Sequence, residues 1–320
     1  MKFGKIKKLL TCLALSATVV CMAATASGCT AETDHPEVSI TYEFNGKKYV
    51  IEYTLYRNMY PNTVRHFIEL TENGFYNNTV IHDMETNDWF GGAYTYNKNL
   101  YEERVADEDE GAMSDYYAYE DYENNIVISK ENAYYDLYDA GKLSTTVYSN
   151  IAYKGQTQVI DKKFKLPTLI GEFSDNQHTI KKGALTAEYG CLKMYYSERK
   201  TNKKVIITPT SDQIVRADYS KNCATYVFGM QVGTTSTYVA SQYCVFATVK
   251  DSSKVEALVS AVKDYNNEKY GTNTSTHYID ASVHVDQNDR FDEEKDAVIE
   301  EIFKSPKTAI VIKSVKVISY

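Results

Sequence analysis

Few residues in this 320-residue chain have types and spacing suited to chemistry, and the most suggestive are His82 and Asp83. They follow a short apolar run, Thr79 to Ile81, and lead through a polar loop to Gly91-Gly92, where bare backbone can approach a ligand or another strand. A carboxylate at neutral pH only accepts hydrogen bonds, so Asp83 can hold a donor but cannot supply one. Elsewhere the chain shows no Ser/His/Asp order, no glycine-rich phosphate loop and no carboxylate pair. Between Glu102 and Glu123 ten acids surround one base, Arg104. The D-x-D-x-D-G order of a calcium loop is missing, so this run reads as a solvated acidic stretch. Cys191, Cys223 and Cys244 have no C-x-x-C spacing and no neighbouring histidine, which argues against zinc. Their odd number makes no disulfide framework, and they read as small buried apolar residues. No cofactor and no metal is expected.

The elements around His82 and Asp83 can be read from local pattern. Val38 to Phe44 and Lys48 to Leu55 are β-rich runs joined at Asn45-Gly46, both of which tolerate positive φ, and this predicts a hairpin. Pro61 suits a first helical position, Val64, Phe67 and Ile68 recur at helical spacing, and Asn73-Gly74 stops the helix. Ile126 to Ser129 and Glu131 to Tyr138 read as a strand and a short helix in an inserted lobe. Ser253-Lys254-Val255-Glu256 is a capping box, and Val255, Leu258, Val259 and Val262 form the apolar face of a second long helix. Thr308 to Ser319 reads as a closing strand.

Composition is that of a globular protein, 43% apolar and 24% charged. Its 29 tyrosines, against 11 phenylalanines and one tryptophan, predict much sheet surface with wet hydroxyls. Residues 1–28 read as a targeting signal: Lys2, Lys5, Lys7 and Lys8, an apolar run from Leu9 to Ala24, then Ala26-Ser27-Gly28-Cys29. That tetrad resembles a bacterial lipobox, which implies lipidation of Cys29 and a lipid anchor in the bacterial cell membrane; an ordinary secretory signal cut nearby is the other reading. Cleavage removes four lysines and no acid, leaving 31 basic and 43 acidic residues and a net charge of −12. Such a charge argues against nucleic acid and against electrostatic binding to anionic lipid. Residues 29–36 read as a tether.

Several ordered blocks resemble the cyclophilin-type peptidyl-prolyl isomerases. Leu55-Tyr56, Pro61 to Phe67, Gly74-Phe75-Tyr76, His82 and Gly91-Gly92 follow that family's order of Leu-Tyr, Pro-Thr-Val-x-x-Phe, Gly-Phe-Tyr, Phe-His-Arg and Gln-Gly-Gly. Asp83 stands at the arginine and Phe90 at the glutamine. Ile170 to Asn176, His178 and Gly183-Ala184-Leu185-Thr186 resemble a Gly-Glu-Phe segment, a histidine and Gly-Val-Leu-Ser-Met-Ala, which puts Glu188 beside the expected groove. Asn222 to Phe228 resembles Asn-x-x-x-Ser-Gln-Phe-Phe, with Val227 at the second glutamine and Phe228 at the first phenylalanine. Tyr238 to Val249 resembles Trp-Leu-Asp-Gly-Lys-His-Thr-Val-Phe-Gly-Lys-Val, with Tyr238 at the tryptophan and Tyr243 at the histidine.

The resemblance implies a mainly β domain over 37–320: a closed antiparallel barrel, two capping helices, and insertions at about 93–165, 193–221 and 265–304. It also implies an apolar groove that grips a proline ring, lined here by His82, Phe90, Glu188, Val227, Phe228, Tyr238 and Tyr243. An arginine in that family donates to the twisted prolyl nitrogen; Asp83 removes this donor and reverses its charge. His82 is expected to be structural. Two functions therefore compete: an isomerase of impaired activity acting on proline-containing segments of secreted or surface proteins, and a non-catalytic peptide- or protein-binding lipoprotein on the same barrel.

Overall fold

Asn45 and Gly46 both take positive φ, 47° and 75°, and turn β1 (Glu37–Phe44) back onto β2 (Lys47–Leu55) in unbroken register. The structure, a computed structural model, describes residues 33–96, 127–143, 169–180, 183–196, 204–210, 213–236, 238–286 and 298–320. Asp34–Ser319 cluster as one compact unit. Cys29, residues 1–28 and the acidic run Glu102 to Glu123 lie outside the described residues, as do residues 29–32 of the tether.

After β2 the chain enters α1 (Pro61–Glu72), with proline at its start and Asn73 at its C-terminal cap. β3 (Thr79–Met84) and β4 (Asp88–Tyr96) follow as an antiparallel pair, and β5 (Val127–Ser129) pairs antiparallel with Tyr94–Tyr96 of β4. α2 (Glu131–Asp139), β6 (Leu169–Ile170), β7 (Leu192–Tyr195), the paired strands β8 (Lys204–Thr210) and β9 (Gln213–Asp218), and the short α3 (Tyr219–Asn222) come next. β10 (Cys223–Ala224) pairs with β6, and β11 (Phe228–Gln231) with both β7 and β4. β12 (Tyr243–Val249) leads to α4 (Ser252–Tyr270), the hairpin β13 (Tyr278–Asp286) and β14 (Val298–Pro306), and the closing strand β15 (Ile310–Ser319).

The sheet runs β11-β7-β12-β2-β1-β15-β3-β4, and the β11–β4 pairing closes it into an eight-stranded antiparallel barrel. Closure leaves these strands no free edge. Alternation along β1 sends Val38, Ile40, Tyr42 and Phe44 inward. Phe67 of α1 packs on Phe228 and Phe246, with ring centroids 5.5 and 5.1 Å away, and joins the helix to the core. Helix α4 buries Val255, Leu258 and Val262.

Local expectations are corrected at three points. The cap of α4 is Asp251, whose carboxylate accepts from the Ser253 N–H at 3.0 Å and from its hydroxyl at 2.6 Å, so Ser253 sits inside the first turn. Helix α4 runs on to Tyr270 and β7 to Tyr195, so regular structure continues past 265 and 193. Among the described residues tyrosine is not chiefly a surface residue, since Tyr42, Tyr53, Tyr76 and Tyr134 are among the largest fully buried side chains. Burial of each of the first three pushes its phenol pKa up, which keeps the ring neutral.

Candidate functional site

Asp83, the penultimate residue of β3, is buried against a neighbouring hairpin. Its Oδ1 accepts the backbone N–H of Lys304 on β14 at 3.0 Å. One residue earlier on β14, Phe303 packs edge-on against the fully buried His82 and against Tyr94, with centroids 5.1 and 5.7 Å away. The Lys304 ammonium reaches Glu85 Oε2 at 3.2 Å, and that bond raises its pKa. Asp83 therefore acts as an acceptor that seats β14 on β3, and His82 as a packed ring inside the wall.

The other named residues separate into two groups. Phe90, Tyr238 and Tyr243 come together around a residue that sequence reasoning missed, Tyr195 of β7, at centroid distances of 4.9, 4.6 and 5.6 Å. Val227 and Phe228 do not join them. Val227 is buried just before β11, and Phe228 faces Phe67 and Tyr76 in the core. Glu188 is exposed in the loop before β7.

Gly229 lets the Tyr195 cluster close. On β11 it pairs with Phe90 of β4 on one side and Lys193 of β7 on the other. A Cβ there would lie 2.7 Å from Tyr195 Cε2 and 3.3 Å from Phe90 Cε1. Over this bare strand Lys193 crosses to Asp88 on β4, with Nζ 2.7 Å from Oδ1 and both side chains wholly enclosed. The Asn87 carbonyl accepts the N–H groups of Val232 and Gly233 at 2.8 and 3.1 Å, which ties the β3–β4 loop down beside the pair.

Glu172 has a structural role at the end of α1. Its carboxylate accepts the N–H groups of Asn62 and Thr63 at 3.2 and 2.8 Å and the Asn62 side-chain amide at 3.2 Å. Tyr60 offers no side-chain cap, so a residue 109 positions away from Thr63 supplies negative charge at the helix N-terminus. Cys191, Cys223 and Cys244 are buried and unbridged; burial pushes the Cys191 thiol up to about 11 and keeps it protonated.

The sequence model for the cyclophilin type peptidyl-prolyl cis-trans isomerases (Cyclophilin type peptidyl-prolyl cis-trans isomerase/CLD) matches residues 39–281. The chain belongs to this cyclophilin family. Among solved structures, a cyclophilin type peptidyl-prolyl cis-trans isomerase of Cryptosporidium parvum is similar at 11% identity, covering 89% of this chain and 99% of that chain, with a TM-score of 0.39. The same protein in the presence of the dipeptide Ala-Pro has the same identity and coverage, with a TM-score of 0.37. No curated protein matches the chain.

The pattern Gly-Val-Leu-Ser-Met-Ala also resembles the stretch leading into β7, where Gly190, Leu192 and Met194 match its Gly, Leu and Met and Tyr195 stands at its alanine. A third match, Met194, was the signal available in the sequence; the stretch from Gly183 offers only Gly and Leu. With Phe228 at the first phenylalanine of Gln-Phe-Phe, Gly229 falls at the second. By this resemblance glycine stands on β11 where the pattern has a large ring, and tyrosine on β7 where it has a small residue.

Proposed function

We propose that this chain is a cyclophilin barrel whose isomerase activity is impaired, and that it binds peptide or protein segments outside the cytoplasm without catalysing their isomerisation. The observation that carries the reading is the Asp83 carboxylate bonded to the Lys304 N–H beneath β14. A prolyl isomerase must favour the twisted amide against a barrier of about 18–20 kcal/mol, and a donor aimed at the prolyl nitrogen does so. Asp83 accepts, and its acceptor is already engaged. Loss of one preorganised donor lowers rates by roughly 10²- to 10³-fold. Packing of Tyr195 against Phe90 and Tyr238, two of the residues that the resemblance assigns to the groove, supports binding on other surfaces, those of the insertions among them.

The partners that fit are segments of secreted or surface proteins, proline-containing ones among them. Residues 1–28 and the Ala26-Ser27-Gly28-Cys29 tetrad support export and a lipid on Cys29. Family membership supports the other reading, residual isomerase activity on extracytoplasmic proteins.

A protease-free isomerisation assay on a panel of X-Pro peptides tests the choice. The expected result is no acceleration above background; acceleration by the natural chain overturns the non-catalytic reading. Detergent phase partition tests the anchor. The natural protein should enter the detergent phase and Cys29→Ala the aqueous one, and identical partition of the two would remove the lipid from the proposal.

A further inference from the structure

We propose that Lys193 and Asp88 are joined, in the folded protein, by an intramolecular amide bond between the lysine Nζ and the aspartate Cγ. The proposal goes beyond the function argued above and does not depend on it. It rests on geometry: the two groups are 2.7 Å apart, neither side chain has any solvent exposure, and they come from strands separated by β11. A lysine must cross that strand to reach Asp88, and Gly229 is the residue it passes. Lys193 Nζ lies 5.0 Å from the Tyr243 ring centroid and 6.0 Å from that of Tyr195, so aromatic faces shield the contact from water.

Ammonium and carboxylate in bulk water do not condense, because both ions are well hydrated and water is present to reverse the reaction. Enclosure removes both obstacles. A proton passed along the 2.7 Å contact from Nζ to the carboxylate oxygen supplies the amine nucleophile and the acid that the reaction needs. Nζ then attacks Cγ, forming the C–N bond. The Cγ–O bond to the protonated oxygen breaks, and that oxygen leaves as water with one proton from the acid and one from nitrogen. Ammonium plus carboxylate becomes amide plus one water, with no oxidant, reductant or co-reactant. The barrel holds the reactants together, and fixed placement of this kind reaches effective concentrations of about 10⁵ M or more.

Tyr195 can assist the leaving step. Its hydroxyl is enclosed on the same face, where burial first and the Asp88 charge second push its pKa up. It therefore stays protonated and can donate to the departing oxygen. The bond would close a loop across 105 positions and enclose the whole first insertion, tying β4 to β7 across the closing seam of the barrel.

Peptide mass mapping of the purified, denatured chain decides the matter. The expected result is that the peptides carrying Asp88 and Lys193 are recovered as one cross-linked species lighter than their sum by one water. Fragmentation should place the link between these two residues. Recovery of the two peptides separately, at their sequence masses, overturns the proposal and leaves a buried ion pair. Asp88→Asn should reach the same cross-linked product by losing ammonia, whereas Lys193→Arg should show no link. A link that persists in Lys193→Arg would also overturn the assignment. Because the natural chain decides the question by itself, a variant that fails to fold does not obscure the answer.

Discussion

Asp83 on β3 and Lys304 on β14 are 221 positions apart in sequence, yet a single 3.0 Å bond from the Lys304 N–H to the Asp83 carboxylate joins them. Where the sequence resemblance implies a donor toward substrate, the Asp83 side chain is an acceptor toward the chain's own backbone. Phe303 beside it covers His82, so β14 takes part in the wall it packs on.

Asp83→Ala should lower stability by about 1–3 kcal/mol, the cost of removing the acceptor from a buried N–H. Asp83→Asn keeps an acceptor and should lose less. Asp83→Arg should lose at least as much as alanine and gain no isomerase rate, since this position is buried against the backbone of Lys304. Urea denaturation and the X-Pro assay check these points, and a rate gained by Asp83→Arg would show that the groove is open after all.

Tyr195 and Gly229 are coupled. Tyr195→Ala should cost about 3–5 kcal/mol by leaving a cavity among Phe90, Tyr238 and Tyr243. Gly229→Ala should cost about 1–3 kcal/mol, because its Cβ would lie 2.7 Å from the Tyr195 ring. In the double variant the alanine at 229 meets no tyrosine, so the two losses should sum to more than the measured one. Strict additivity in a double-mutant cycle would mean that the two residues do not share this space.

Glu172→Ala should destabilise the fold by about 1–2 kcal/mol, because two N–H groups at the start of α1 lose their acceptor. Glu172→Gln retains an acceptor without the charge and should fall between alanine and the natural chain. Hydrogen exchange at Asn62 and Thr63 reports the effect locally; unchanged protection there in the alanine variant would argue against the cap.

His66 should make the fold acid-sensitive. Burial lowers its pKa to about 4, and a backbone bond involving Thr225 offsets this only in part. The ring is held at 3.0 Å from the Tyr134 hydroxyl, which joins α2 to α1. Between pH 6.5 and 4 the unfolded chain binds this proton and the folded one does not, so stability present above 6.5 is lost as pH falls toward 4. The loss is on the order of 3 kcal/mol from this group. Urea midpoints at pH 7 and 4.5 should move further apart in the natural chain than in His66→Gln; equal displacement would remove His66 as the cause.

Local pattern by itself determined the β1–β2 hairpin, α1, the short α2, the closing strand and the family, because turn residues, helical spacing and ordered motif words act over a few residues each. It also showed that Asp83 cannot donate, a matter of functional-group chemistry alone. Contacts between distant strands decided the rest. Which glycine precedes β7 depends on pairing with β11 and β12, so the register at Gly190 and the place of Tyr195 emerge only when the barrel closes. Lys193 looks in sequence like one more solvated lysine of an insertion, and only the closing seam of the barrel puts it over Gly229 and against Asp88. The same holds for Asp83: its chemistry was legible, but its partner is a backbone N–H 221 positions away, which no local pattern can name.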